Sequence, residues 1–188
     1  MILPEQDAVV AMFSCTNPMQ VVLDLMWEHL LPAMGADRGA PTPDDAELAK
    51  RLERLALPTV AERRGGGPAS RPDLQPSTFR PGPPGVPSHS TVTSIDLHGD
   101  RMVVHEGEAS ISVPLAAAWT PVDDLRAVSA ARLSDGLVVV DLVLLSTPHR
   151  IELELDPATL TFVARWPLVP LFGVGLERRL TSIAVPPA

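Results

Sequence analysis

The sequence predicts an α+β protein that is mostly β. Three observations support this fold class. Apolar residues recur at helical spacing within the first 35 residues, and proline and glycine crowd residues 58–87. From residue 91 onward, short apolar runs follow one another closely, with turn residues and no helical pattern between them. We therefore expect a terminal strand and amphipathic helix over residues 1–36, a linker with one helix over residues 37–90, and an antiparallel meander, curled into a small barrel or sandwich, over residues 91–188.

Composition narrows the classes of function. The 188 residues suit one or two small domains, each able to bury a core. A net charge of -8 and a pI near 5.0 argue against nucleic-acid or anionic-membrane partners. The single cysteine, Cys15, excludes an internal disulfide. Since the start shows no signal-peptide pattern and no uncharged stretch reaches membrane-spanning length, we expect a cytoplasmic protein with no membrane partner.

The first element is a turn followed by a strand and a helix. Pro4 to Asp7 have turn chemistry, and the apolar run Ala8 to Phe13 has the length of a strand. Asn17 then predicts a helix N-cap, with Pro18 at the first helical position. Gly35 is a plausible helix end. The residues that recur at helical spacing predict one broad apolar face: Val22, Leu23, Met26, Trp27, Leu30 and Leu31.

The linker contains one clear helix signal. Thr42 is a typical N-cap before Pro43, and acidic residues follow, which predicts a helix over about residues 43–56. Its apolar stripe is narrow, so we expect it to lie on another surface and not inside a bundle: Leu48, Leu52 and Leu55. The remaining linker is expected to have little core of its own. Arg63 to Gly67 have the composition of a phosphate cradle but lack its flanking pattern, so we expect them to be solvated.

Two hairpins and an alternating strand define the β domain. Gly99-Asp100 and Ser134-Asp135-Gly136 each separate two apolar runs and predict tight turns. The run Leu137 to Val140 is apolar on both faces and should be the most buried strand. Two further strands are expected to point their apolar residues inward: Ile151, Leu153 and Leu155 in the first, and Leu160, Phe162, Ala164 and Trp166 in the second.

Residues with catalytic or ligand-binding chemistry are scattered. Ser14, Cys15, Asp24 and His29 supply nucleophile, acid and base types, but nothing in their spacing brings them together, so we predict no catalytic residue. The histidines and nearby acids are expected to be a surface scatter and not a metal site: His89, His98, His105, His149, Glu106 and Glu108. No cofactor motif is found.

Trp119 is the single position at which the sequence suggests a ligand. It ends an apolar run and is followed by Thr120-Pro121, so it could mark the mouth of a barrel.

The start of the chain resembles a known family. The segment DAVVA, a polar turn and a helix reading MQxxLDLxWEHLLPAM resemble the end of the catalytic domain in bacterial serine hydrolases related to class C β-lactamases and penicillin-binding proteins. In that family a terminal helix packs across the last strands of the catalytic sheet. The resemblance continues more loosely into the accessory β domain, which is lipocalin-like in many of these enzymes, through Leu97-His98-Gly99-Asp100-Arg101 and Ala118-Trp119.

The catalytic motifs of that family are missing from this chain. An S-x-x-K motif is needed to activate the nucleophile, yet three residues before the single lysine, Lys50, stands Glu47. The chain has no tyrosine for the second motif and no matching triad for the third. The resemblance therefore implies a non-catalytic C-terminal part of a hydrolase whose parent cleaves a β-lactam, a D-alanyl peptide or an ester through an acyl-enzyme.

Two other interpretations of the function of this chain remain open. The chain could be a stand-alone lipocalin-like module that binds a small molecule. It could also be a subunit that pairs with a separate catalytic hydrolase half, or with itself, through residues 1–35. An apolar strand with free edges is prone to pairing or aggregation, so we expect strand 8–13 to find a partner in this chain or another.

Overall fold

The computed structural model describes residues 2–12, 18–35, 42–68, 75–82, 90–147 and 149–168. The chain divides into two compact units, Met1–Leu57 and Pro58–Ala188. The predicted fold class is confirmed: the protein is mostly β, with a few helices and a curled sheet that forms a half-barrel.

Unit 1 begins with a small hairpin. Strands β1 (Ile2–Leu3) and β2 (Ala8–Val9) pair antiparallel around a 3-10 turn, Pro4–Gln6, which Asp7 closes with a φ of 48°. The predicted strand 8–13 is therefore paired within the chain at its first two residues, and Phe13 lies outside the described residues. The short edge leaves Ile2 and Val9 largely exposed.

The predicted amphipathic helix follows, in three parts. Helix α1 (Met19–Leu25) passes into a π-helical segment, Met26–Leu30, and then into α2 (Leu31–Ala33). The predicted N-cap, Asn17, lies outside the described residues. The π-helical segment was not predicted from sequence, and such segments are rare and are found often at functional sites.

Helix α3 (Pro43–Glu53) starts where the sequence predicts and ends three residues earlier than the predicted residue 56. Thr42 and Asp45 form a capping box, in which the Thr42 amide donates to Asp45 Oδ2 at 2.6 Å and the Thr42 hydroxyl accepts from the Asp45 amide. These bonds hold the pKa of Asp45 below its ordinary value, the backbone amide of Thr42 being the larger cause. The leucine stripe of α3 remains exposed within the described part of the chain.

Unit 2 is a sheet of ten strands with one short helix, α4 (Val60–Arg64). The strands are β3 (Gly67–Pro68), β4 (Ser77–Pro81), β5 (Ser94–His98), β6 (Arg101–Glu106), β7 (Ala109–Pro114), β8 (Thr120–Asp123), β9 (Arg126–Arg132), β10 (Val138–Leu144), β11 (Arg150–Asp156) and β12 (Thr161–Arg165). Their order is β3-β9-β10-β11-β12-β4-β5-β6-β7, and β8 also pairs with β9.

The sheet is antiparallel except at one joint, where β12 and β4 run parallel and pair Thr161 with Arg80. This pairing joins the β9–β12 strands to the β5–β7 strands. The chain after β7 approaches β9 as well, because the Ala130 amide donates to the Ala116 carbonyl at 2.7 Å. The meander is therefore mixed and curled, where sequence predicted a purely antiparallel one.

The predicted turns and inward faces agree with the structure, with one exception. Gly99 and Gly136 occupy the β5–β6 and β9–β10 turns with φ of 59° and 93°, a region that favours glycine. The apolar residues of β11 and β12 are buried as predicted, except for Leu160. Leu160 lies in the turn before β12 with a φ of 56° and is exposed, because strand pairing starts at Thr161.

The boundary between linker and β unit differs from the predicted one. Val60 and Phe79, both within the segment expected to have little core, are almost fully buried in unit 2. Phe79 lies on β4 and belongs to the main core cluster, whereas Val60 packs with Ala131 and Val139 on the outer face of the sheet. The β unit therefore begins at Pro58 and not at Thr91.

Candidate functional site

The residues with catalytic side chains in the first 35 positions do not form a site. Ser14 and Cys15 lie outside the described residues. Asp24 accepts a hydrogen bond from the Gln20 side chain at 2.8 Å, and His29 lies on the exposed face of the π-helical segment. Within the described residues no group of three or more histidines, cysteines or acids is placed to hold a metal ion.

A polar row crosses the outer face of β4, β5 and β6. Thr78 donates to Asp96 Oδ1 at 2.6 Å, and His105 Nε2 lies 2.8 Å from Asp96 Oδ2. The Thr78 hydrogen bond is the main reason that the pKa of Asp96 is lowered. Ser110 faces His105 across the β6–β7 pair, but no hydrogen bond joins these two side chains in the described structure. The row thus holds Asp96 in its ionised form on an open sheet surface.

His98 and His105 lie on the two strands of the β5–β6 hairpin. His98 pairs with Arg101 and His105 pairs with Ser94, so the two imidazoles are on different rungs of the hairpin. His89 lies outside the described residues.

Trp119 is partly buried immediately before β8. Behind this edge, the inward side chains of the sheet pack into one contiguous core cluster. Val128, Val140 and Leu153 are among its fully buried members. A ligand mouth at Trp119 stays a prediction.

The densest group of charges surrounds Asp141 on the outer face of β10. Asp141 is fully buried, and Arg63 of α4 donates to its Oδ2 atom. Arg150 Nη1 lies 3.6 Å from the same oxygen, while Glu152 Oε1 receives Arg63 at 3.3 Å and Arg150 at 3.1 Å. Two carboxylates are thus shared between two guanidinium groups. Neither the Asp141 Oδ1 atom nor the Arg63 Nε atom has a hydrogen-bond partner among the described residues.

Helix α4 is held over these charges by its own capping box and by hydrogen bonds to the sheet. Thr59 and Glu62 form a second capping box, which fixes the start of the helix. The Val60 amide donates to Ser129 Oγ at 3.2 Å, and Ser129 in turn donates to the Ala117 carbonyl at 3.0 Å. Arg64 adds a bond to Glu154 at 2.9 Å. These contacts place the Arg63 guanidinium directly on Asp141.

The burial and the charges around Asp141 indicate that this cluster has a structural role. Burial raises the pKa of Asp141, and this effect outweighs the opposing attraction of Arg63 and Arg150. A carboxyl group with a raised pKa can act as a general acid, but Asp141 lies under α4 and has no exposed surface to offer a substrate. The cluster fastens α4 to the sheet.

The sequence interpretation of Arg63 to Gly67 as a solvated segment is wrong for Arg63, which is partly buried and bonds to β10 and β11. Arg64 is exposed, as predicted, although it bonds to Glu154 of β11. A signal was present: Asp141 is a lone acid in an apolar strand, and a buried carboxylate requires a cation or donors. The sequence gives no means of identifying which arginine supplies them.

Most of the exposed large hydrophobic side chains of the described residues lie on unit 1. An apolar strip runs along α1, the π-helical segment and α2, with residues recurring every three or four positions: Val22, Leu25, Met26, His29, Leu30 and Ala33. Among the described residues, thirteen large hydrophobic side chains are exposed, and all but Leu145 and Leu160 belong to unit 1. No described residue of unit 1 is buried. The described residues of this unit therefore present apolar faces to solvent and form no buried core.

No known family model matches this chain, and no match is found among curated proteins or among solved structures. In the part of the chain that the structure describes, no helix is both long and apolar enough to cross a membrane.

Proposed function

We propose that this chain is a non-catalytic C-terminal part or subunit of a serine β-lactamase-like hydrolase. The apolar strip of unit 1 docks on the sheet of a separate catalytic half, and unit 2 is the accessory β domain. The catalytic half performs the acyl-enzyme hydrolysis of a β-lactam, a D-alanyl peptide or an ester.

This proposal rests on one observation: the large hydrophobic side chains of unit 1 are exposed, whereas those of an independently folded domain are mostly buried. Eleven of the thirteen exposed large hydrophobic side chains lie in a unit with no buried described residue. Leu25 and Leu30 of the apolar strip are 50% and 42% exposed, and burying a leucine side chain contributes about 1.5–3 kcal/mol. Apolar side chains that lie together on an exposed surface, as along the apolar strip, are typical of an interaction site. A helix that packs across a catalytic sheet would need this face.

Unit 2 supports a binding partner less well than unit 1 does. Among its described residues only two large hydrophobic side chains, Leu145 and Leu160, are exposed, and the inward side chains form one core cluster. Its most perturbed carboxyl group, Asp141, is covered by α4. We therefore place the interaction on unit 1 and assign the chemistry to another polypeptide.

The first test is to sequence the source DNA on both sides of the region that encodes this chain. A neighbouring or interrupted reading frame with S-x-x-K, a tyrosine-centred motif and a glycine-ended triad would supply the catalytic half. The two halves are then co-expressed, and hydrolysis of a chromogenic β-lactam and a nitrophenyl ester is measured with and without this chain. We expect this chain and the catalytic half to form a stable complex that hydrolyses the substrate faster than the catalytic half alone.

A pair of matched variants makes the test specific. Leu25→Asp puts a charge on the apolar strip, where the side chain is 50% exposed, and should reduce binding at least about tenfold, which corresponds to about 1.4 kcal/mol. Leu145→Asp puts the same charge on a 59% exposed site of unit 2 and should leave binding unchanged. Equal loss with both variants, or no complex with any neighbouring hydrolase half, would refute the proposal.

A further inference from the structure

Helix α3 carries a second apolar stripe, separate from the strip on α1 and α2. Leu48, Leu52 and Leu55 recur at spacings of four and three, so they lie in a narrow line along one face. They are 53%, 59% and 79% exposed. The bond from the Leu55 amide to the Leu52 carbonyl, at 3.1 Å, extends the helical turn past Glu53. The stripe therefore occupies the second half of the helix and the turn that follows it.

The charges beside this stripe are sorted along the helix. Asp44, Glu47, Arg51 and Arg54 recur at spacings of three, four and three, which places them along one edge of the leucine line. The acids occupy the first half of that edge and the arginines the second half. Lys50, 4.0 Å from Glu47, lies two residues from Leu48 and therefore on another face.

We propose that α3 is a homodimerisation helix, which pairs antiparallel with the α3 helix of a second copy of this chain. Around a two-fold axis the same edge of both helices meets in reversed direction. The acidic half of one edge then faces the arginine half of the other, with Glu47 near Arg51 and Arg54 of the second copy. Antiparallel helix dipoles favour the same arrangement.

This interface is small. A three-turn helix buries less than the roughly 800 Å² per partner of a standard stable interface, so the dimer should form only at high protein concentration. It uses a surface other than the apolar strip, and it goes beyond the hydrolase proposal without depending on it.

The test is sedimentation equilibrium of the full chain at concentrations from about 1 µM to about 1 mM. Wild-type protein should shift from monomer to dimer within this range, and added salt should weaken the dimer because exposed charges are screened. Leu52→Asp should abolish it. Leu25→Asp, on the apolar strip, should leave it intact, which separates this surface from the hydrolase docking surface.

A charge-swap experiment tests the antiparallel geometry. Glu47→Arg makes the edge predominantly basic, and Arg51→Glu with Arg54→Glu makes it acidic, so each variant alone should be monomeric. An equimolar mixture of the two should dimerise at least as strongly as wild type. Circular dichroism checks that every variant keeps its helix content. A wild-type monomer at about 1 mM, or variants that dimerise alone and gain nothing on mixing, would overturn the proposal.

Discussion

The carboxyl group of Asp141 is fully buried in the middle of β10, between the apolar residues Val140 and Leu142. Its negative charge is compensated by Arg63 and Arg150, yet its Oδ1 atom has no hydrogen bond in the described structure. Burial is the largest cause of the raised pKa of Asp141. Removing this carboxylate from water therefore costs more free energy than the attraction of Arg63 and Arg150 restores. Ionised Asp141 therefore lowers the stability of the fold compared with its protonated form.

This balance predicts a pH dependence at a single residue. Because the folded-state pKa lies above the ordinary value of 3.8, the stabilisation from protonated Asp141 is complete below that value and is lost as pH rises through the folded pKa. Asn cannot ionise and keeps an acceptor for Arg63. The free energy of unfolding of wild type relative to Asp141→Asn should therefore fall as pH is raised from about 4 to about 7.

Urea unfolding of both proteins across this pH range measures the difference directly. The lowered pKa values of Asp96 and Asp123 favour the fold above about pH 4, and since both proteins share them, they cancel in the comparison. If wild type gains stability over the variant as pH rises, the attraction of Arg63 and Arg150 exceeds the cost of burial, and the stated direction is wrong.

At the scale of elements, local signals were sufficient wherever neighbouring strands are joined by short turns. Gly99 and Gly136 mark their hairpins because only a residue without Cβ adopts their backbone conformation easily, and the alternation in β11 sets its inward face. The capping residue Thr42 similarly identifies the start of α3. These features depend on residues within a few positions of one another.

The elements that sequence reasoning missed depend on distant residues. Strand β4 is short, is flanked by proline, and pairs in parallel with β12 through residues far along the chain. Helix α4 has only five residues, and its position is fixed by Ser129 and Asp141 of the sheet. Neither partner can be identified from the local pattern. The exposure of the apolar strip on unit 1 cannot be read from the local pattern either, because it depends on which other parts of the chain pack against the strip.

Strand β4 can be tested through its single large core residue. Phe79→Ala should lower the free energy of unfolding by about 3–5 kcal/mol, because Phe79 is 1% exposed and its removal leaves a cavity. Leu145→Ala, at a side chain that is 59% exposed, should change it by less than about 0.5 kcal/mol. Both values come from urea unfolding. A small effect of Phe79→Ala would mean that β4 is not part of the core.

The whole molecule combines two units with opposite character. All the residues of the main core belong to unit 2, whereas the described residues of unit 1 display apolar faces and bury none. Unit 2 therefore has what an independent fold requires, and unit 1 has what an interaction requires. The two proposed surfaces, the apolar strip and the leucine stripe of α3, both lie on unit 1.

This division predicts where the chain can be cut. A protein of residues 58–188 should unfold cooperatively, with a free energy of unfolding within about 0.5 kcal/mol of that of the full chain, because it retains every buried residue of the described structure.

A protein of residues 91–188 lacks Val60, Arg63 and β4, and β4 is the strand that joins β12 to β5. Without it the sheet opens between these two strands, and Asp141 loses its closest cation. We expect this shorter protein to show no cooperative transition in thermal unfolding followed by circular dichroism. Equal stability of the two truncated proteins would place the boundary at Thr91, as the sequence pattern alone predicts.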